Sequence, residues 1–177
     1  MKKIKITKIA KKVLSFRGLG HKGCYGADCD DECCKYGADI DKESYDLIFK
    51  NRKLVEKAIE TKLEDCFEDA WYDEEDFLGG NGTKTKVGKS GFCMFHNPKG
   101  KGCVLYKLVN VNKLPRRIIP SICRLYPLTW EGGELRIAGD IYDSCDCKLS
   151  QKNILETQKK EIEDIFEIKR EIKKKYL

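Results

Sequence analysis

Four cysteines fall within eleven residues in Cys24-Tyr-Gly-Ala-Asp-Cys29-Asp-Asp-Glu-Cys33-Cys34. This stretch constrains the chain more than any other. It holds almost no apolar side chain that could order it, so its conformation depends on what the thiols are tied to. Six further cysteines follow at wide intervals: Cys66, Cys93, Cys103, Cys123, Cys145 and Cys147. The ten thiols form either a disulfide framework or a metal site, and the compartment separates the two readings.

The chain opens with Met1-Lys-Lys-Ile-Lys-Ile-Thr-Lys-Ile, the basic start of a secretory leader. Lysines interrupt it every two or three residues, and no apolar segment follows. No apolar run approaches the ~20 residues of a membrane span. A cytoplasmic protein without a membrane partner is expected. In a reducing cytosol disulfides are rare, and clustered cysteines bind metal or do redox work. The adjacent pair Cys33 and Cys34 points the same way, because neighbouring side chains diverge and need different partners. A net charge of +6 on 177 residues is too small to indicate a nucleic-acid partner. With 41% hydrophobic residues the chain can bury the core of one domain.

Residues 1–23 carry eight basic side chains and no acid. They read as a basic N-terminal arm with a short edge strand at Ile4, Ile6 and Ile9, followed by core contacts from Val13, Leu14 and Phe16. His21, in a Gly-rich turn before Cys24, is either a ligand or a loop residue. Asp41 should cap a helix with Ser44 in its first turn. Leu47/Ile48, Leu54/Val55, Ala58/Ile59, Leu63 and Cys66/Phe67 then recur with a 3.6-residue period, predicting one long helix over about 41–69. Cys66 lies on that buried stripe and is left out of the ligand set. The acidic stretch 64–76, with Trp71, Tyr72 and Phe77, reads as a solvated helix end with aromatic anchors. Residues 79–91 miss the spacing of a phosphate-binding loop by one residue and follow no apolar strand, so they read as a flexible loop.

Phe92–Phe95 and Cys103–Tyr106 predict a hairpin that brings Cys93 and Cys103 together. His96, three residues after Cys93, reads as a metal ligand, a general acid or base, or a plain turn residue. Pro120 and Pro127 bracket a turn that should hold Cys123 rigidly. Arg124 beside it reads as a surface salt-bridge partner, with thiolate tuning or anion binding as sharper alternatives. Leu128–Trp130 and Leu135–Ala138 predict a second hairpin across Gly132-Gly133, and Cys145-Asp-Cys147 brings the last two thiols. Ser150 should cap a final helix over 150–177, buried through Ile154/Leu155, Ile162, Ile165/Phe166 and Ile172. The fold class is therefore α+β: one domain over 1–177, two long helices on short antiparallel hairpins, and cysteine loops meeting at one end.

The candidate metal ligands are Cys24, Cys29, Cys33, Cys34, Cys93, Cys103, Cys123, Cys145 and Cys147. No Cys-x-x-Cys knuckle of the structural-zinc kind is present. The Cys24–Cys29 spacing is nearer to ferredoxin-type loops. Nine thiols exceed one four-ligand site. An iron–sulfur cluster, with [4Fe–4S] as the type in view, is expected, and Zn²⁺ is the alternative.

Cys24, Cys29, Cys33 and Cys34, then Cys93-x-Phe95, Cys103-x-x-Tyr106 and Pro120-x-x-Cys123-Arg124-x-Tyr126-Pro127, resemble the YkgJ-type cysteine-cluster family, which is described as zinc- or iron-chelating. The Cys123-Arg-Leu-Tyr-Pro127 motif and the late Cys145 are also similar to a sister family of bacterial proteins. The resemblance covers roughly residues 24–147 and implies thiolate-bound metal. The cluster is similar, too, to that of the flagellin lysine N-methylase. This chain departs from the pattern in the x4 and x3 gaps between its first cysteines. Three function classes follow: a metal-binding protein with a redox role, a protein- or peptide-modifying enzyme with the cluster near its active site, and a structural zinc domain that binds a protein partner.

Overall fold

The computed structural model describes residues 2–19, 30–139 and 149–177. It is a mixed α/β domain with helices packed on several small sheets. Strand β1 (Ile4–Ile6) alternates inward Ile4 and Ile6 with outward Lys5. β2 (Lys8–Ile9), the short helix α1 (Lys11–Ser15) and β3 (Arg17–Leu19) follow. A 3₁₀ turn, Glu32–Tyr36, carries Cys33 and Cys34 into β4 (Asp39–Asp41). Helices α2 (Lys42–Lys50) and α3 (Arg52–Ile59) come next. After β5 (Tyr72–Asp73) and β6 (Asn81–Lys84), α4 spans Val104–Asn112 and α5 spans Ser121–Leu125. β7 (Leu128–Glu131) and β8 (Glu134–Ile137) form a hairpin whose turn glycines, Gly132 and Gly133, both take positive φ. The chain ends with β9 (Leu149–Asn153), α6 (Ile154–Thr157), α7 (Lys159–Ile165), β10 (Phe166–Ile168) and α8 (Arg170–Tyr176).

The N-terminal segment is no free arm. β1 pairs in parallel with β10, β2 in parallel with β8, and β3 antiparallel with β9. Its lysines face outward while Ile4, Ile6 and Val13 are buried. The fourth sheet has the order β4-β6-β5 and is antiparallel throughout.

Three expectations about the backbone are corrected. The long helix over 41–69 is two helices broken at Asn51, whose side-chain amide donates to the Leu47 carbonyl; Glu60 then ends α3 in the left-handed region. The stripe still faces the core, but its register passes through that break. The final helix is likewise interrupted. Ser150 lies in β9, Asn153 is the cap of α6, and Phe166–Ile168 leaves the helical path to pair with β1. Residues 79–91 are not a flexible loop throughout, because 81–84 form the central strand of a sheet. Gly82 belongs there sterically: a Cβ would stand 2.2 Å from the Phe77 ring and 2.6 Å from the Ile40 carbonyl oxygen.

Asp41 caps α2 as expected, accepting from the Ser44 amide at 3.0 Å. It also accepts from Ser121 Oγ at 2.8 Å, which ties α5 to β4.

Buried apolar side chains form two clusters. One gathers Ile48, Val55, Leu63, Phe67, Phe95, Leu105 and Ile119 under α2–α4. The other gathers Ile6, Val13, Leu125, Leu128, Leu135, Ile162 and Ile165 under the terminal segments. Helix α5 stands between them, with Leu125 in the second cluster and Cys123 packed against the first.

Arg124 is corrected from a surface group to a buried one, 3% exposed. Its Nη1 donates to Glu161 Oε2 at 2.9 Å and to Asp164 Oδ2 at 2.8 Å. Arg116 also reaches Glu161, and Arg117 bridges Glu43 and Asp164. These ion pairs hold α5 against α7.

Candidate metal centre

Five cysteines from separate parts of the chain line one cavity of about 440 Å³: Cys33, Cys34, Cys93, Cys103 and Cys123. Each is half-buried. Phe95 is fully buried at its wall, and Tyr36, Tyr106 and Tyr126 complete the aromatic lining.

Local structure explains each position. Cys33 and Cys34 ride on the 3₁₀ turn, where three residues make a turn and neighbours sit a third of a revolution apart. Both can therefore border one wide cavity. Cys24 and Cys29, the expected partners of one thiol of this pair, lie outside the described residues. Gly37 follows with φ +70, and a Cβ there would meet the Thr85 carbonyl oxygen at 2.5 Å. The turn can lie this close to residue 85 only with glycine at that position.

Cys93 is drawn in from two sides. Its amide donates to the Cys34 carbonyl at 2.6 Å, and its sulfur lies 3.3 Å from the Thr85 hydroxyl. The predicted hairpin around it is absent. Instead, isolated bridges join Val87 to Cys93 and His96 to Cys103, and Cys103 is the N-cap residue of α4. The run Val104-Leu-Tyr-Lys-Leu-Val is as compatible with a helix as with a strand, and burial of Leu105 and Leu108 on one side selects the helix. Cys123 is presented from α5 between Pro120 and Pro127, and the Tyr106 hydroxyl donates to its carbonyl at 2.9 Å.

The thiols differ electrostatically. The hydrogen bond with Cys34 holds Cys33 below the ordinary thiol range, against burial and the nearby Asp31 charge. That same bond, with burial and the other sulfurs, pushes Cys34 up. Burial raises Cys93, although the Thr85 hydroxyl opposes it. Burial and then Cys93 push Cys103 up to about 12, while the backbone at Leu105 and Tyr106 pulls it back. Cys66 is pushed up to about 12 by burial; it bonds the Lys62 carbonyl inside the first apolar cluster and does not line the cavity.

The donor set suits thiophilic metal chemistry, which selects zinc and iron–sulfur clusters over hard cations. Among the described residues no three His, Cys, Asp or Glu side chains are gathered closely enough to hold a metal ion. The thiols instead surround a space. Cys24, Cys29, Cys145, Cys147 and His21 lie outside the described residues. Among the described residues no helix is long and apolar enough to cross a membrane.

Sequence reasoning missed two contributors. Thr85 touches the Cys93 sulfur from a segment read as a loop. Asp31, one of several acids in the cysteine run, is 4% exposed and accepts from the Gly102 amide at 2.9 Å. Nothing in the sequence distinguishes it from Asp30.

The chain matches no family model, no curated protein and no solved structure.

Proposed function

We propose that this protein binds an iron–sulfur cluster through cysteine thiolates and uses it for electron transfer, with Zn²⁺ as the alternative occupant. The observation that carries the reading is the convergence of Cys33, Cys34, Cys93, Cys103 and Cys123 on one cavity. A lone tetrahedral zinc draws its sulfurs to about 2.3 Å from one point. The nine candidate thiols exceed the four ligands of one such ion, which suits a larger, multi-atom body. The motif likeness to the cysteine-cluster family supports the same chemistry.

Cys33, Cys34, Cys93, Cys103 and Cys123 would hold the cluster, with Cys24, Cys29, Cys145 and Cys147 as the further thiols of the set. A bound cluster supplies one-electron redox chemistry. The chain's own part is to shed thiol protons on loading, to hold the sulfurs apart, and to shield them with Phe95, Tyr106 and Ile122, since burial tunes the potential of such centres. Metal ions are the partners of this reading, in a cytoplasmic setting.

Anaerobic purification or reconstitution with iron and sulfide, followed by metal and sulfide analysis and visible absorption, tests it. Serine at Cys33, Cys34, Cys93, Cys103 or Cys123 is expected to lower bound iron, and Cys66→Ser to leave it unchanged. Wild-type protein that takes up neither iron nor zinc overturns the reading.

One observation favours the enzyme reading as second choice. A cavity of about 630 Å³ shares Asp39, Ile122 and Gly139 with the thiol cavity and is lined by Asp41, Glu74, Asp76, Glu131 and Trp130 with Arg136, an acidic excess that suits a cationic side chain. Methylation of a lysine peptide by cluster-loaded protein would separate this reading from the first.

A further inference from the structure

His96 is built into the same cavity more firmly than a turn histidine requires. Its Nε2 lies 2.9 Å from Asp31 Oδ2, and that carboxylate is 5% exposed. The same oxygen accepts the Gly102 amide from across the turn. Phe92 stacks on the imidazole with ring centroids 4.3 Å apart and an interplanar angle of 16°. The carboxylate and the stacked ring together hold the imidazole in place.

The direction of the side chain follows from the backbone. His96 and Cys103 are antiparallel bridge partners, and residues directly opposite in such a pair project to the same face. Both line the thiol cavity, with Cys93 beside them. The second ring nitrogen, Nδ1, has no hydrogen-bond partner among the described residues. Asp31 stands one residue before the turn that carries Cys33 and Cys34, and the Cys34 amide donates to its carbonyl at 2.8 Å. One acidic residue thus anchors both the vicinal thiols and the imidazole.

A carboxylate on one imidazole nitrogen, with the other left for a ligand, is the arrangement that orients metal-bound histidines. We propose that His96 is the nitrogen donor of the thiolate centre, through Nδ1, and that Asp31 is its positioning residue. This rests on the metal-binding reading above and deepens it: the centre has mixed sulfur and nitrogen ligation, with its sulfur donors among the cysteines that line the same cavity.

Cobalt(II) alone is the probe, added anaerobically to the full chain, because its thiolate charge-transfer bands count sulfurs and its d–d bands report replacement of sulfur by nitrogen. His96→Ala is expected to weaken Co²⁺ binding and shift the d–d bands while keeping the charge-transfer intensity. His96→Cys should add charge-transfer intensity and move the d–d bands to longer wavelength. Asp31→Asn should weaken binding by about 10- to 100-fold, the usual effect of losing such a partner, while the sulfur count stays the same. A second measurement needs no variant at His96. With only two histidines in the chain, the ring nitrogens of His21→Ala protein labelled with ¹⁵N-histidine report His96 alone, and Nδ1 should shift on Zn²⁺ loading. Wild-type protein that develops thiolate charge transfer, yet shows a d–d spectrum unchanged by His96→Ala and an unshifted Nδ1, overturns the assignment of His96 and leaves the metal reading standing. Wild-type protein that takes up iron and sulfide but develops no Co²⁺ charge transfer overturns the assignment of His96 alone, and protein that takes up neither iron, zinc nor cobalt overturns both.

Discussion

Arg124 sits beside Cys123 in the sequence, yet the helical step between them sends the two side chains to opposite jobs. Cys123 faces the cavity, and Arg124 enters a network with Glu161 and Asp164 on α7. Removing one member of a buried ion pair usually costs 3–5 kcal/mol, because the remaining charge is stranded. Here Arg116 and Arg117 still face the two carboxylates. Arg124→Leu is therefore expected at the low end, about 3 kcal/mol at neutral pH, by urea denaturation. The pH dependence has a defined sign. Burial alone would raise Asp164, but the hydrogen bonds from Arg117 and Arg124 outweigh it and hold the carboxyl below its usual range. A depressed carboxylate stabilises the fold above its unfolded value, near 3.9, and that stability is lost as pH falls through the folded value. The gap between wild type and Arg124→Leu should narrow below about pH 4; a gap that widens in acid contradicts the network. None of this was legible in Pro120-Ser-Ile-Cys-Arg, because the acids that bury Arg124 come from a distant helix.

At the scale of elements, the sequence showed which side chains go inward and misjudged what backbone carries them. Ile48, Val55, Leu63, Ile154, Ile162 and Ile165 are all fully buried, as their periodicity predicts. Periodicity did not reveal the break at Asn51 or the strand at Phe166–Ile168, because a pairing with β1 cannot be read from local pattern. Strand β6 was missed for the opposite reason: Asn81-Gly-Thr-Lys84 has no apolar alternation, and its buried groups are the Gly82 backbone and the Thr83 side chain. Asn153 shows how much one cap can join. Its Oδ1 accepts the Leu155 amide at 2.8 Å, and its Nδ2 donates to the carbonyls of Val13 at 3.2 Å and Leu14 at 2.8 Å. Asn153→Ala should cost about 2 kcal/mol, the upper end for a cap, because contacts to α1 are lost with it. Asn153→Asp retains the acceptor but sets a carboxylate against two carbonyls, so it should not restore the melting temperature. Full recovery with aspartate would show that the cap alone matters.

Over the whole molecule, the thiol cavity draws on the 3₁₀ turn, the Cys93 segment, α4 and α5 at once. A metal centre bound there, as proposed, would fasten distant parts of the chain together, and its binding free energy would become folding free energy. Removing it with a chelator under reducing conditions should lower the melting temperature and speed reaction of the cavity thiols with a thiol reagent, while Cys66 stays slow inside its apolar cluster. Metal-free protein with unchanged melting and uniformly slow thiols would contradict that dependence. The clustering of the cysteines was legible because ligand-rich loops announce themselves in composition. That Cys93 and Cys103 would meet was also legible, but the means was not: an isolated bridge and the start of α4 bring them together where a hairpin was expected, because long-range packing selects the helix. The threading of the first strands carries a last consequence, in the order of synthesis. Residues 4–19 leave the ribosome well before their partners at 134–135, 149–153 and 166–168. Ile4, Ile6 and Val13 must wait, unpaired and wet, until those partners emerge. The lysines between them keep that waiting segment from clumping with its neighbours, a task that begins before the fold exists and ends when the final strand is delivered.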